Sequence, residues 1–419
     1  MVSNYAPINT PNFIDLFAGC GGLSLGLEQA GFSPVFVNEI DNDALETYLI
    51  NRDQSFPYLR NPKFHSNDIK DCISDAYLAK LKSNLKNILN VSEVDLICGG
   101  PPCQGFSGLG LRRSYSVEKK DIPSNHLYED MALFIKGIKP KIFLFENVQG
   151  LLSSRWSKEG VKGEVFESVV KTFKSIPNYS LETKLIFSKD YGVPQRRPRV
   201  FIIGVRNDLV TDNPLNNNAL NFFPKGGIDA PSIPEILSDL VDTNYMNGGK
   251  TSKYPHDVQN EFQEYFRTLP CGNISSKGDL VDEHEYSKHS QKVIDRFEKT
   301  IRNEGAPDPN FVTKKFAQRM LPKQWSSKGP NLTLTSMPDD FIHYAQPRSP
   351  TLRECARLQT FPDHYKFSGK RTTGGTRRAG VPTEDNYFRE LPKFTQIGNA
   401  VPVWLGREIG KHFKGILES

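Results

Sequence analysis

Cys103 lies in Gly99–Ser107, GGPPCQGFS, directly after the apolar run VDLIC. A thiol between a diproline and a glycine-rich turn has a rigid mount, because each proline fixes its own φ. Placed after a strand, such a turn sits where open α/β sheets bind their ligands. A thiolate held there is a nucleophile that can divide one difficult step into two easier ones. Packing as a small hydrophobe explains Cys98, inside the apolar run, but not Cys103 in a Pro/Gly loop. Glu146, in FENV, ends the apolar run KIFLF, and a carboxyl group at a strand end can serve as acid or electrostatic partner. Arg197 and Arg199, in QRRPRVFIIGV, are expected on one side of an incoming strand, where paired guanidinium groups could grip a phosphate or a base carbonyl.

A second set of residues suits a nucleotide-like cofactor. Asp15–Gly26, DLFAGCGGLSLG, reads as strand, glycine turn and helix, so backbone and helix terminus can approach a ligand closely. The dehydrogenase fingerprint GxGxxG fails, since Ser24 occupies its third glycine position. Glu39, at the end of the next strand, is placed to accept from a ribose. Asp68, in SNDI, could accept from an adenine amino group; capping a helix is the plainer role for such a residue.

These residues need a scaffold that brings strand ends together. The pattern predicts strands at Asn12–Phe17, Pro34–Asn38, Val94–Cys98, Lys141–Phe145 and Arg199–Val205. Helices are predicted at Leu23–Ala30 and Tyr128–Ile138, the latter stopping before Pro140. That alternation implies an α/β fold, a mostly parallel sheet covered on both faces. From Asn207 to Pro330 short pieces rich in Gly, Pro, Lys and Ser replace it, with an amphipathic helix at Gln291–Arg302 whose apolar face is Val293, Ile294, Phe297 and Ile301. A final helix is expected near Val403–Phe413. The chain of 419 residues, 37% hydrophobic and 24% charged, is long enough for two domains. The net charge of +5 is compatible with a polyanionic partner. The six cysteines form no CxxC pair, which disfavours zinc or a disulfide framework and suits a reducing cytoplasm. No secretion signal or membrane span is read, so no membrane partner is expected.

DLFAGCGG, GGPPCQGFS, ENV, QRRPR, RSPTLRECARLQTFP and QIGNAVP follow one another in the order and spacing of the DNA (cytosine-5) methyltransferases. The chain resembles that family, in its bacterial or phage modification form, over all but about residues 207–324. The resemblance implies a Rossmann-like S-adenosylmethionine-dependent methyltransferase fold with a second, smaller target-recognition domain. It implies a catalytic domain over 1–206, target recognition and hinge over 207–394, and a C-terminal segment, 395–419, returning to the catalytic domain. Cys103 would attack C6 of a flipped-out cytosine, Glu146 would contact N3 and the exocyclic amine, and Arg197 and Arg199 would assist. S-adenosyl-L-methionine, leaving as S-adenosyl-L-homocysteine, would lie against Phe17, Ala18, Gly19, Gly21, Gly22, Glu39, Ile40, Asp68, Ile69, Pro101, Leu127, Asn399 and Val401. Double-stranded DNA would meet Gln104, Ser107, Arg377 and Arg378, the last two in an insertion longer than the minimal family pattern. The implied enzyme is a cytoplasmic monomer without metal, acting at the nucleoid and protecting DNA in a restriction-modification system.

Other readings account for less. A zinc base deaminase needs PCxxC, but Phe106 stands where its second cysteine belongs. An amino-group methyltransferase would carry an aromatic residue after its prolines, where Cys103 stands. A tRNA cytosine methyltransferase would share the catalytic residues, although the long variable segment favours DNA. A non-catalytic DNA-binding module would have no use for Cys103, Glu146 and the glycine loop together.

Overall fold

The computed structural model describes residues 5–102, 119–211, 221–306, 318–372 and 391–418. Seven strands form one sheet: β1 (Asn12–Leu16), β2 (Ser33–Asn38), β3 (His65–Ser66), β4 (Leu96–Gly99), β5 (Ile142–Val148), β6 (Tyr179–Phe187) and β7 (Pro198–Arg206), in the order β3-β2-β1-β4-β5-β7-β6. The first five are parallel, while β7 runs antiparallel to both β5 and β6. The strand order reverses between β1 and β4, so the loops after these two strands flank the crevice at the switch point. Those loops carry AGCGG and GPPC.

Period-two patterning sorts the strands' side chains into two apolar layers. Ile142 and Leu144 face one layer, Phe143 and Phe145 the other. Helices α2 (Asn42–Ile50), α3 (Asp75–Leu89), α4 (Leu127–Ile138) and α5 (Glu164–Lys174) cover the second layer. Helix α1 (Gly22–Gln29) and the last helix cover the first. The strand read from Val94 starts at Leu96, because the Asp95 carboxylate accepts from the backbone and side-chain amides of Asn12 at 2.9 and 2.8 Å. Strand β6 was not read at all. It is an edge strand with Glu182, Thr183 and Lys184 exposed, so it lacks an apolar run.

After β7 come α6 (Asn207–Thr211), α7 (Ile233–Leu237), α8 (Glu261–Arg267), α9 (Gln291–Arg302), α10 (Leu352–Leu358), α11 (Lys393–Asn399) and α12 (Val403–Glu418), with a two-stranded sheet of β8 (Arg319–Met320) and β9 (Phe341–Ile342). On α9 it is Phe297 and Thr300 that are buried, and the rest of the apolar stripe is half-buried. Phe222, Ile236, Phe266 and Leu334 belong to the same apolar cluster as Leu27 of α1 and Phe413 of α12. The segment after β7 therefore shares its core with one face of the sheet.

Two contacts hold this part together. Helix α12 packs on α1 along a seam of glycines. A Cβ on Gly26 would lie 2.3 Å from the Val403 carbonyl oxygen and 2.5 Å from Arg407 N, and one on Gly406 would lie 2.8 Å from the Leu23 carbonyl oxygen. The second contact is a cluster of buried ion pairs around α10, all seven residues of which are buried. Arg348 grips Glu354 at 2.8 and 2.7 Å. Arg357 joins Asp239 at 2.6 Å and Asp363 at 2.5 Å, and Arg267 reaches the same Asp239 at 2.8 Å. Each charge gains partners that replace water, the condition under which a buried ion pair is tolerated.

Gly26→Val should lower stability by about 1–3 kcal/mol or more by forcing the two helices apart, read as a fall in the thermal unfolding midpoint. Asp239→Asn leaves two buried guanidinium groups short of their counter-charge and should cost about 3–5 kcal/mol in denaturant unfolding. A loss within a few tenths of a kcal/mol for either would contradict the packing described.

Candidate active site

The crevice between β1 and β4 has two sides. On the first, Glu39 leaves the end of β2 and folds back over the glycine turn. Its Oε2 accepts from Gly19 N at 2.7 Å and its Oε1 from Asp41 N at 2.9 Å. The residue is 6% exposed, and burial pushes its pKa up to about 7. Ile40 beside it is 48% exposed, an apolar surface presented at the crevice. A Cβ on Gly19, whose φ is +55°, would meet no atom within 4 Å. A buried acceptor, an open glycine backbone and an exposed aliphatic side chain suit a ribose and a flat purine, so the residues present fit an adenosyl cofactor.

Gly21 and Gly22 have a different cause. A Cβ on Gly21 would lie 2.8 Å from the Tyr48 ring, and one on Gly22 would lie 2.4 Å from the Val401 carbonyl oxygen. Packing within the protein already requires both. Arg52 supports the turn from behind, donating to the Gly21 carbonyl at 3.4 Å and pairing with Glu28 at 2.6 Å, while Tyr365 donates to the Cys20 carbonyl at 2.6 Å. Ser24, the residue that breaks the dehydrogenase fingerprint, donates to the buried Asp15 carboxyl. Burial raises the Asp15 pKa to about 7.

The remaining residues of this side divide by exposure. Phe17, at φ +58°, and Ala18 are half-buried. Asp68 caps a short 3-10 turn, its Oδ1 accepting from Lys70 N at 2.9 Å, and stays partly exposed. Ile69 is 2% exposed and belongs to the core. Leu127 opens α4 half-buried, Pro101 and Val401 are buried, and Asn399 is exposed.

On the second side stands Glu146 of β5, its side chain 13% exposed and paired with Arg199 Nε at 2.7 Å. Burial raises the Glu146 pKa, and the charges of Arg199 and Arg197 pull it back. A Cβ on Gly100 would lie 2.8 Å from Glu146 Oε2, so the carboxylate rests on the backbone leading to Pro101 and Pro102. Asn147 Nδ2 donates to the Pro101 carbonyl at 3.0 Å, tying the same loop to β5. Cys103, Gln104, Ser107, Arg377 and Arg378 lie outside the described residues.

Arg197 and Arg199 do not point the same way. Arg197 precedes the paired part of β7 at φ +28°, is 1% exposed, and donates to the carbonyls of Asn399 at 2.8 Å and Leu334 at 3.5 Å. Of the two, Arg199 bonds Glu146 directly, while Arg197 acts on it through charge. Positive φ at a non-glycine residue turned the chain, which a strand pattern does not reveal. Sequence reasoning also left Asn147 and Gln195 without a role, although ENV and QRRPR were both noticed. The available signal was an amide beside charged residues, Glu146 in ENV and the arginines in QRRPR.

Comparison with known proteins agrees with this geometry. A family model described as C-5 cytosine-specific DNA methylase matches residues 11–415. The Type II methyltransferase M.DdeI of Desulfomicrobium norvegicum is 33% identical, covering 97% of this chain and 89% of its own. The Type II methyltransferase M.Sau96I of Staphylococcus aureus is 30% identical, covering 98% and 77%. A crystal structure described as a prophage-encoded DNA modification methyltransferase of E. coli superposes with a TM-score of 0.66 at 25% identity, covering 98% of this chain and all of the other. The chain belongs to the C-5 cytosine-specific DNA methylase family and is a DNA cytosine-5 methyltransferase.

Proposed function

We propose that the chain methylates carbon 5 of a cytosine extruded from a specific double-stranded DNA sequence, through a covalent bond between Cys103 and C6. The observation that carries this reading is the Glu146–Arg199 pair resting on Gly100, the residue directly before the Pro-Pro-Cys turn. Relatives named as Type II methyltransferases support a role in a restriction-modification system. Such a role would be carried out on DNA in the bacterial cytoplasm.

Carbon 5 of cytosine is too weak a nucleophile to be methylated unaided. The Cys103 thiolate adds to C6, forming the S–C6 bond and moving the 5,6 electron pair to C5. Glu146, whose pKa burial raises against the pull of Arg199 and Arg197, supplies the proton at N3 that the developing charge requires. Arg199 holds that carboxyl group and reaches toward the cytosine O2, while Arg197 braces the backbone behind it. The family is S-adenosylmethionine-dependent, and that group, when bound, supplies an electrophilic methyl on sulfur. Glu39 would hold its ribose, Ile40 and Phe17 its adenine, with Asp68 at the amino edge and Ala18, Gly19, Pro101, Leu127, Asn399 and Val401 around it. Loss of the C5 proton to water, departure of Cys103 as thiolate and return of the N3 proton to Glu146 restore the ring's double bond.

A base inside a stacked duplex is out of reach, so flipping is required at about a few kcal/mol. Within the target-recognition and hinge region, 207–394, the variable stretch 207–324 would read the sequence, with Gln104 and Ser107 also meeting DNA and Arg377 and Arg378 on its backbone.

DNA carrying 5-fluorocytosine at the target should become permanently attached to the peptide containing Cys103 when S-adenosylmethionine is present, and Cys103→Ala should abolish both attachment and methylation. Mass spectrometry that finds no adduct on that peptide would refute the covalent route. Because Glu146 acts protonated, kcat should fall as pH rises through its elevated pKa. Glu146→Gln should lose about 10²–10⁴-fold in kcat and lose that alkaline limb; a pH–rate profile identical to wild type would remove Glu146 from the chemistry.

A further inference from the structure

Behind the crevice, four segments of the chain are joined by two side-chain amides. Gln195 and Gln359 are both 0% exposed. Gln195 Nε2 donates to Gln359 Oε1 at 2.9 Å and to the Leu358 carbonyl at 2.8 Å, and Gln195 Oε1 accepts from Leu334 N at 3.1 Å. Gln359 Nε2 passes the link on, donating to the carbonyls of Ile397 at 2.7 Å and Ala400 at 3.2 Å. The backbone partners have fixed polarity: an N–H faces one amide oxygen and carbonyls face both amide nitrogens. Neither amide can flip without facing like to like, so the pair has one arrangement.

Arg197 crosses the same gap two residues further on, reaching Asn399 and Leu334. Its neighbour Arg196 donates its backbone N–H to the Leu332 carbonyl at 2.7 Å. The loop entering β7, the stretch around Leu334, the end of α10 at Leu358–Gln359 and the turn at Ile397–Val401 thus form one strapped unit. One end of it carries Arg199 and hence Glu146; the other carries Asn399 and Val401.

We propose that Gln195 and Gln359 are a positioning couple for methyl transfer, holding the methyl-donor turn in register with the carboxylate that grips the base. The inference rests on the assignment of Asn399 and Val401 to the methyl donor. Neither glutamine touches a reacting atom; they fix the distance between the two groups that do. Transfer between two bound partners is sensitive to displacements of about 1 Å, which can cost about 10²-fold.

Gln195→Met and Gln359→Met keep the side-chain length and remove the hydrogen bonds. Each should lower kcat/KM by about 10²-fold and weaken S-adenosylhomocysteine binding measured by calorimetry. The double variant should lose no more than about 10²-fold rather than the roughly 10⁴-fold of independent effects. Assays run below each variant's thermal midpoint, and Gln359→Leu replaces a Gln359→Met variant that does not fold, since it likewise removes the acceptor for Gln195 and the donor to Ile397 and Ala400. Additive losses, or unchanged kcat and product affinity beside a lowered midpoint, would overturn the couple. Failure of the wild type to bind S-adenosylhomocysteine would instead overturn the assignment of the donor site.

Discussion

Strand β7 enters the sheet against the direction of β5, with Glu146 opposite Phe201 and Val148 opposite Arg199. Residues opposite one another across an antiparallel pair share a face, and diagonal neighbours on that face are within reach of a long side chain. Glu146 and Arg199 are such a diagonal pair. Their contact depends on the reversal: a parallel β7 would need a crossover and would carry the arginine in from the opposite end. The rest of the site is arranged around that carboxylate. Gly100 lets the backbone approach it, and Asn147, the next residue along β5, holds the loop that leads to Cys103.

Burial gives the pair its character. In a partly dry site the carboxyl group keeps its proton more readily, while a guanidinium group at 2.7 Å opposes that tendency. Two opposed effects leave a group that can be tuned by a substrate's approach. Glu39 across the crevice is raised by burial in the same way and held by two backbone N–H groups. The floor beneath both depends on segments from the far end of the chain. Helix α12 can reach α1 only because glycine stands at the contact points, and the ion pairs around Asp239 bind α7, α8 and α10 into the same core.

Much of the scaffold was legible in the sequence. Apolar runs closed by glycine or proline located β1, β2, β4, β5 and β7 within a few residues, since a buried parallel strand has to be apolar throughout. Strand β6 was missed because an edge strand with one wet face carries no such run. The glycine turn was recognised, but its glycines were all assigned to a ligand. Gly19 leaves open space, whereas Gly21 and Gly22 are required by Tyr48 and Val401. A sequence cannot distinguish these two demands, because both ask for the absence of a side chain.

By itself, then, the sequence determined the fold class, the family and the chemical inventory: a cysteine after two prolines, a carboxylate and arginines at strand ends, and acceptors after β2. These are local properties, written in residue type and spacing. Tertiary structure decided which groups work together. It sent Arg199 to Glu146 and Arg197 to the carbonyls of Leu334 and Asn399, and it joined Gln195 to Gln359 across more than 160 positions of chain. Such pairings arise from strand direction and from backbone partners of fixed polarity, neither of which any single stretch of residues contains.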